Sequence, residues 1–274
     1  MSTVNIVIIP AAGLGTRLHP YTDYISKEIL KVGKKPMIQY ALEEAWEGGI
    51  QKALIIVSPV KIDLIDWIAI YKKKTNRDIE IFYQENATGL GNAILCCKDY
   101  IECKPFYLSL PDNVLFYKDK PNPFKVIHKA FKISDYSTIG LISINLQEEA
   151  NSFGDCGKVE LEPHPKFSKS FIIKKIFDKQ KGTFKFQTTK STRTIGRCII
   201  SQYAYKILIE MRRNWNGSGE FDDVPWLQRL AKEEILLGTY IQGDVFDVGN
   251  KTGFNRANAF LFDTQKVSYK INLF

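Results

Sequence analysis

Residues 4–18 read Val4-Asn5-Ile6-Val7-Ile8-Ile9-Pro10-Ala11-Ala12-Gly13-Leu14-Gly15-Thr16-Arg17-Leu18. A short, uncharged and mostly β-branched run ends in a proline and a glycine loop. That pattern predicts a parallel strand buried on both faces. The loop carries the chemistry. Gly13 and Gly15 allow backbone N–H groups to face an anion with no Cβ in the way. Arg17 adds a guanidinium fork suited to phosphate oxygens. The loop is neither a Walker A motif, which needs G-x-x-x-x-G-K-[ST], nor the dinucleotide fingerprint, whose third glycine is missing.

Working outward, strand and helix signals alternate. The spacing predicts a helix over 36–46, opened by Pro36 and stopped by Gly48-Gly49. Strands are predicted over 52–58, 79–83, 106–110 and 138–144, and helices over 62–71, 92–101 and 123–132. The fold class is therefore α/β, with a mostly parallel open sheet flanked by helices. Ligands of such sheets bind beyond the carboxyl ends of the strands. The Pro10–Arg17 loop and Asp112 both fall there.

After residue 154 the pattern changes to short strands with basic spacers, over 158–161, 171–177 and 194–201. Helices over 202–213 and 222–233, strands over 235–242 and 245–248, and a helix near 252–262 complete the chain. No repeat or low-complexity linker interrupts it. Residues 1–262 read as one continuous domain, a nucleotide-binding half (1–145) and a smaller β-rich substrate half (146–262). The tail, 263–274, is either a strand or an assembly contact.

Composition narrows the function. The 274 residues are 45% hydrophobic and 25% charged, ordinary for a globular protein and unlike a disordered or collagen-like chain. No apolar run approaches the ~20 residues of a spanning helix, so no membrane association is expected. Five cysteines, two of them adjacent and none in a CxxC pair, suit neither a disulfide framework nor structural zinc. With no signal-peptide pattern at the N-terminus, a cytoplasmic protein with reduced thiols is expected. A net charge of +8 favours polyanionic partners. No recognition-helix, RRM or zinc signature supports nucleic acid among them. Much of the positive charge lies between Lys166 and Arg193, where Asp178 is the only acid. That stretch is a solvated face, or one or two of its cations bind phosphate.

Further motifs follow in order: Ser26-Lys27-Glu28, Lys35-Pro36-Met37-Ile38-Gln39-Tyr40, Gln84 five residues before Gly89-Leu90-Gly91-Asn92-Ala93, Leu110-Pro111-Asp112-Asn113, Ile195-Gly196-Arg197, and Phe246-Asp247-Val248-Gly249 running to Phe254. Together with the glycine loop they resemble the sugar nucleotidyltransferases, the nucleoside-diphosphate-sugar pyrophosphorylases. Within them they are most similar to the bacterial UTP–glucose-1-phosphate uridylyltransferase branch. The resemblance spans residues 10–254.

It implies a glycosyltransferase-A-like, nucleotide-binding sheet. It also implies transfer of a nucleotidyl group from an NTP to a sugar 1-phosphate, with release of pyrophosphate. UTP and glucose 1-phosphate are the substrates expected. The alternatives are dTTP, whose base presents the same pairing edge, and a non-catalytic sugar-nucleotide-binding homologue. Two polyanions must meet, and each like-charge pair costs ~4 kcal/mol at about 4 Å and an effective dielectric near 20. The site must supply cations, and no covalent nucleophile is required.

The resemblance assigns catalysis to Arg17, Lys27, Asp112 and Lys179. Nucleotide contacts fall to Ala11, Ala12, Gly13, Gly15, Arg17, Lys27, Gln84 and Gly89, with the Gln84 amide suited to the edge of uracil. Gly157, Asp178 and Lys179 would hold the sugar phosphate, and Asp112 and Asp247 a Mg²⁺ ion. A homo-oligomer, dimer or tetramer, is implied as well. The chain departs from the family at several points. Ser26 replaces a proline, Asp178 is one methylene shorter than the family's glutamate, and Gln180 replaces a proline. The family's Tyr-Gly beneath the sugar has two counterparts, Phe153-Gly154 and the preferred Cys156-Gly157. Ser218-Gly219-Glu220 stands where the family has Gly-Asp-Glu, as a site segment or as a simple helix cap.

Overall fold

The computed structural model describes residues 3–102, 104–154, 156–185 and 191–271. The strands are β1 (Ile6–Ala11), β2 (Lys31–Val32), β3 (Lys35–Pro36), β4 (Lys52–Val57), β5 (Asp78–Tyr83), β6 (Phe106–Ser109), β7 (Asn113–Phe116), β8 (Ser137–Ile144), β9 (Val159–Pro163), β10 (Phe171–Ile176), β11 (Ser191–Ile200), β12 (Leu236–Tyr240) and β13 (Asp244–Asp247). The helices are α1 (Met37–Gly48), α2 (Ile62–Thr75), α3 (Leu90–Leu95), α4 (Lys98–Ile101), α5 (Pro123–Ser134), α6 (Gln147–Ala150), α7 (Gln202–Arg213), α8 (Val224–Lys232) and α9 (Lys251–Ile271).

A large sheet runs in the order β5-β4-β1-β6-β11-β8-β12-β10-β9. Its first four strands are parallel, as the apolar runs of the first half predict. Side chains along β1 alternate between two layers. Val7 and Ile9 pack with Ile38 and Leu42 of α1 and Leu64 of α2. Ile6 and Ile8 pack with Ile94 of α3, Tyr205 of α7 and Trp226 of α8. Burial on both faces explains why the run has no polar alternation, and each fully buried Ile or Val contributes about 1.5–3 kcal/mol.

The strands of the second half join the same sheet. β11 lies between β6 and β8, antiparallel to both, and β12 pairs parallel with β8. The sheet is thus mixed beyond β6. A register shift between Thr194 and Cys198 frees Ile195-Gly196-Arg197 from β8. At that bulge the Leu110 N–H donates to the Gly196 carbonyl (2.8 Å).

Other departures from the sequence reading have local causes. The helix expected over 92–101 breaks at Cys96-Cys97 into α3 and α4. Pro36 caps α1 rather than opening it, because it also pairs with Lys31 across β2–β3. β7 was not anticipated. It forms a two-stranded ribbon with β13, whose side chains Val114 and Phe246 share a third apolar cluster with Leu18 and with Ala257 of α9. Residues 263–271 continue α9 rather than forming a strand, and 272–274 lie outside the described residues.

Candidate active site

The glycine loop leaves β1 at the carboxyl edge of the sheet and is anchored by the fully buried Leu18. Behind it lies a buried cation that the sequence did not flag. Lys61 donates to the carbonyls of Ala11 (2.8 Å) and Gly13 (2.6 Å) and to Glu28 Oε2 (2.7 Å). Burial pushes the Lys61 amine down and the Glu28 carboxyl up, and each charge opposes the shift in the other. The neighbouring turn is tied down by Asp63, which accepts from the Ser26 N–H (2.7 Å) and hydroxyl (2.6 Å). The serine that replaces the family's proline therefore makes two anchoring bonds of its own.

These ties present Lys27. Its ammonium donates to Asp112 Oδ2 at 2.9 Å, and Arg17 approaches the same oxygen at 4.0 Å. Burial pushes the Asp112 carboxyl up, but Lys27, with Arg17 behind it, outweighs burial and holds it well below the usual carboxylate range. Lys27 pays the same burial penalty, and the charge of Asp112 carries its pKa above the ordinary lysine value. Asp112 is itself bracketed from below. The buried Arg197 donates to the carbonyls of Leu110 (2.7 Å) and Asn113 (2.9 Å), and its Nε meets both Glu44 oxygens at 2.9 and 3.0 Å.

Asp247 ends β13 opposite Asn113, one residue from Asp112. The Val248 N–H donates to the Asp112 carbonyl (2.8 Å). Asp247 Oδ2 accepts from the Gly154 N–H (2.9 Å) and Oδ1 from the Gly249 N–H (3.1 Å). A Cβ on Gly249 would stand 2.9 Å from Asp112 Oδ2 and 3.1 Å from an Arg17 nitrogen. Both carboxylates therefore close on one glycine turn.

Two adjoining cavities occupy this face. The smaller, about 450 Å³, is lined by Ala12, Gly13, Gly15, Lys27, Gln84 and Gly89. Gln84 is buried, and its Nε2 donates to the Gly89 carbonyl (3.1 Å), which leaves the amide oxygen as an acceptor. Gly89 must be glycine. Its φ is +103°, and a Cβ would meet the Phe221 carbonyl oxygen at 2.5 Å. Glu220 lines the same cavity. The larger cavity, about 540 Å³, adds Asp247, Cys156, Gly157 and Arg193, and the two share Arg17, Asp112 and Lys179. Gly157, at φ +74°, has no room for a side chain beside Thr194 Oγ1 (2.7 Å from a Cβ).

Lys179 donates to Asp222 (2.6 Å) and Asp223 (2.8 Å), just ahead of α8. Burial lowers its pKa, and the two carboxylates more than reverse that. Burial, reinforced by Asp222, raises the Asp223 carboxyl to about 6. These two acids were read as the first turn of a helix, but α8 begins only at Val224. A doublet of acids before Val-Pro in a basic chain was the available signal.

Most of the expected residues are thus brought together, and two are not. Ala11 is buried below the loop with its carbonyl on Lys61. Asp178 turns away from both cavities, and its Oδ1 accepts from Gln228 of α8 (2.8 Å). Sequence reasoning also passed over Lys61, and it left Arg193 undistinguished within the basic stretch. Nothing in the run Pro59-Val60-Lys61 distinguishes that lysine from a solvated one.

Glycine loop, paired carboxylates and mixed sheet together define a class, and the chain belongs to the nucleotidyl transferase family, whose pattern matches residues 6–164. Its relatives narrow the class. The UTP–glucose-1-phosphate uridylyltransferase of Mycoplasma genitalium is 31% identical across 94% of this chain and 91% of its own length. That of Bacillus subtilis is 28% identical across 93% and 89%. Among solved structures, UDP-glucose pyrophosphorylase complexed with UDP-glucose superimposes with a TM-score of 0.79 at 25% identity, covering 96% of this chain and all of the other. The expected α/β nucleotidyltransferase fold is borne out.

Proposed function

We propose that the protein is a UTP–glucose-1-phosphate uridylyltransferase. The observation that carries this reading is the pair of cavities sharing Arg17, Asp112 and Lys179. One is walled by the glycine loop and Gln84, the other by Gly157 and Asp247, as two phosphorylated substrates meeting at one phosphorus require. UTP binds in the first, with Gln84 offering its amide oxygen to the N3–H of uracil. Cytosine has an acceptor at that position, so the contact also discriminates. Lys27 and Arg17 take the triphosphate oxygens, and Lys179 holds the sugar 1-phosphate.

An oxygen of the sugar phosphate then attacks the α-phosphorus. The bond to the bridging oxygen of the leaving pyrophosphate breaks, and that oxygen keeps the electron pair. No bond to the enzyme forms, so catalysis rests on alignment and charge.

Asp112 and Asp247 suit Mg²⁺. Both are carboxylates, Asp112 is held ionised, and among the described residues each Asp247 oxygen accepts from a single backbone N–H. Among the described residues no cluster of three or more His, Cys, Asp or Glu stands ready to hold a metal alone. An ion held by these two would draw its remaining oxygens from phosphates and water, the usual habit of Mg²⁺. It would neutralise phosphate charge. The division at residue 145 into nucleotide and sugar halves, a homo-oligomer, and a cytoplasmic setting complete the reading. The free thiols of Cys96, Cys97, Cys156 and Cys198 suit a reducing compartment, and no helix among the described residues is long and apolar enough to cross a membrane.

The test is direct. The protein incubated with UTP, glucose 1-phosphate and Mg²⁺ should yield UDP-glucose and pyrophosphate in equal amounts. Binding of both substrates without product would leave only a sugar-nucleotide-binding homologue.

A further inference from the structure

Arg193 is one of two buried arginines of β11. It lines the larger cavity and is 3% exposed. The Phe153 ring packs over its guanidinium, with Cζ 4.2 Å from the ring centre, and the Phe184 ring centre lies 5.7 Å away. Packing of this kind fixes the planar fork and keeps water from it. The polar contacts are poor. Nε meets the Thr194 carbonyl at 3.3 Å, one NH2 group meets the Cys156 sulfur at 3.7 Å, and NH1 has no partner. Burial keeps the Cys156 thiol protonated, so it is a weak acceptor.

The other buried or half-buried cations of this face are treated differently. Lys27 has Asp112, Lys61 has Glu28, and Arg197 has Glu44. Among the described residues Arg193 has no carboxylate. A buried full charge with an idle donor is costly to maintain, and a site that keeps one is short of an anion. The location indicates which anion. Cys156, which Arg193 touches, also lies within electrostatic reach of Asp247, Lys179 and Arg17. Arg193 lines the larger cavity together with Lys179, Asp247 and Arg17, so its guanidinium belongs to the sugar half of the cleft.

We propose that Arg193 is a substrate-binding residue of the sugar-phosphate subsite, its guanidinium donating to an anionic oxygen of the incoming sugar phosphate. This rests on the uridylyltransferase reading above and deepens it. The oxygen has two possible sources, the 1-phosphate itself or a second anionic group on the ring, such as the carboxylate of a uronic acid. The first makes Arg193 a partner of Lys179. The second makes it a selector for acidic sugars.

Steady-state kinetics with UTP against glucose 1-phosphate and glucuronic acid 1-phosphate distinguish these. Wild type, Arg193→Ala and Arg193→Lys are compared, with melting temperature measured alongside. Loss of a charge-assisted bond should raise KM for the sugar phosphate roughly tenfold or more in Arg193→Ala. KM for UTP should stay within about twofold. Arg193→Lys, which keeps the charge, should recover part of the loss, and it carries the test if the alanine variant does not fold. An equal loss with both sugars assigns the contact to the 1-phosphate. A larger loss with glucuronic acid 1-phosphate assigns it to the carboxylate. Unchanged KM for both sugars overturns the proposal. So does a rise for UTP and sugar together with a lowered melting temperature in both variants, the mark of a structural prop. A wild-type protein that makes no UDP-sugar overturns the parent reading, and this one falls with it.

Discussion

At the end of the cleft proposed for the nucleotide, each cation close behind the glycine loop rests on an acid. Lys61 meets Glu28, which is fully buried, and Lys27 meets Asp112. At the sugar end the arrangement loosens. Lys179, its side chain 45% exposed, leans on two adjacent acids of a loop, and Arg193 leans on none. The first end is held in shape before any substrate arrives. The second sets one cation on a pair of loop carboxylates and leaves the other with none among the described residues. On the proposed reading, that difference makes the nucleotide site tightly held and the sugar site open to variation, and each side of it can be tested.

The largest effect should come from the hidden support. Lys61→Met strands Glu28 beneath the loop and removes two bonds to loop carbonyls. Breaking a buried pair of this kind costs about 3–5 kcal/mol, to be read from urea unfolding. A loss below 1 kcal/mol would mean that the loop holds its own shape and would erase the contrast.

Next comes the sugar end's cation. Lys179→Ala should reduce kcat/KM for glucose 1-phosphate by roughly 10²–10³, the usual cost of removing one charge-stabilising donor. UTP binding, followed by calorimetry, should be nearly unchanged. Lys174, in the same basic run, pairs on the surface with Glu234 and Glu162, so Lys174→Ala should leave turnover unaltered. Equal small effects at both lysines would make the stretch a solvated face.

The turn joining the two ends should respond next. Asp112→Asn and Asp247→Asn should each lower turnover roughly tenfold or more, and EDTA should abolish pyrophosphate release. Full activity in both variants would remove the Mg²⁺ assignment.

The smallest effect is a pH dependence. Asp223 titrates near 6 in the folded protein because burial and Asp222 raise it. A carboxyl whose folded pKa is raised adds stability that is complete below its unfolded pKa and is lost as pH rises through the folded value. Asp223→Asn lacks that loss. Relative to wild type it should gain on the order of 1–2 kcal/mol between pH 5 and 7.5. A flat difference across that range would place the Asp223 carboxyl in a weaker coupling with Asp222 and Lys179.

The same contrast governs what the sequence disclosed. The nucleotide end is written in contiguous residues. A buried strand, two glycines and an arginine form one run, and Gln84 stands five residues from Gly89 on a single strand-loop-helix path. The sugar end depends on residues far apart in the chain, 179 with 222 and 156 with 193, and no local pattern records such pairings. Asp178 shows the cost of local reading. It neighbours Lys179 in sequence, but Gln228 draws it away from the cleft. Strand direction was hidden as well. The apolar run of β11 reads the same in either sense, so its antiparallel place between β6 and β8, and the bulge that turns Arg197 beneath Asp112, emerge only from the assembled sheet.

The central claim is that this cleft joins a uracil nucleotide to a sugar 1-phosphate. The most direct test is pyrophosphate release measured with UTP, dTTP, CTP, ATP and GTP in turn, against glucose 1-phosphate and Mg²⁺. The account predicts that UTP or dTTP is used roughly tenfold or more better than the other three, because Gln84 offers an acceptor where uracil and thymine carry a donor. A preference for a purine or for CTP, or no release with any of the five, would contradict it.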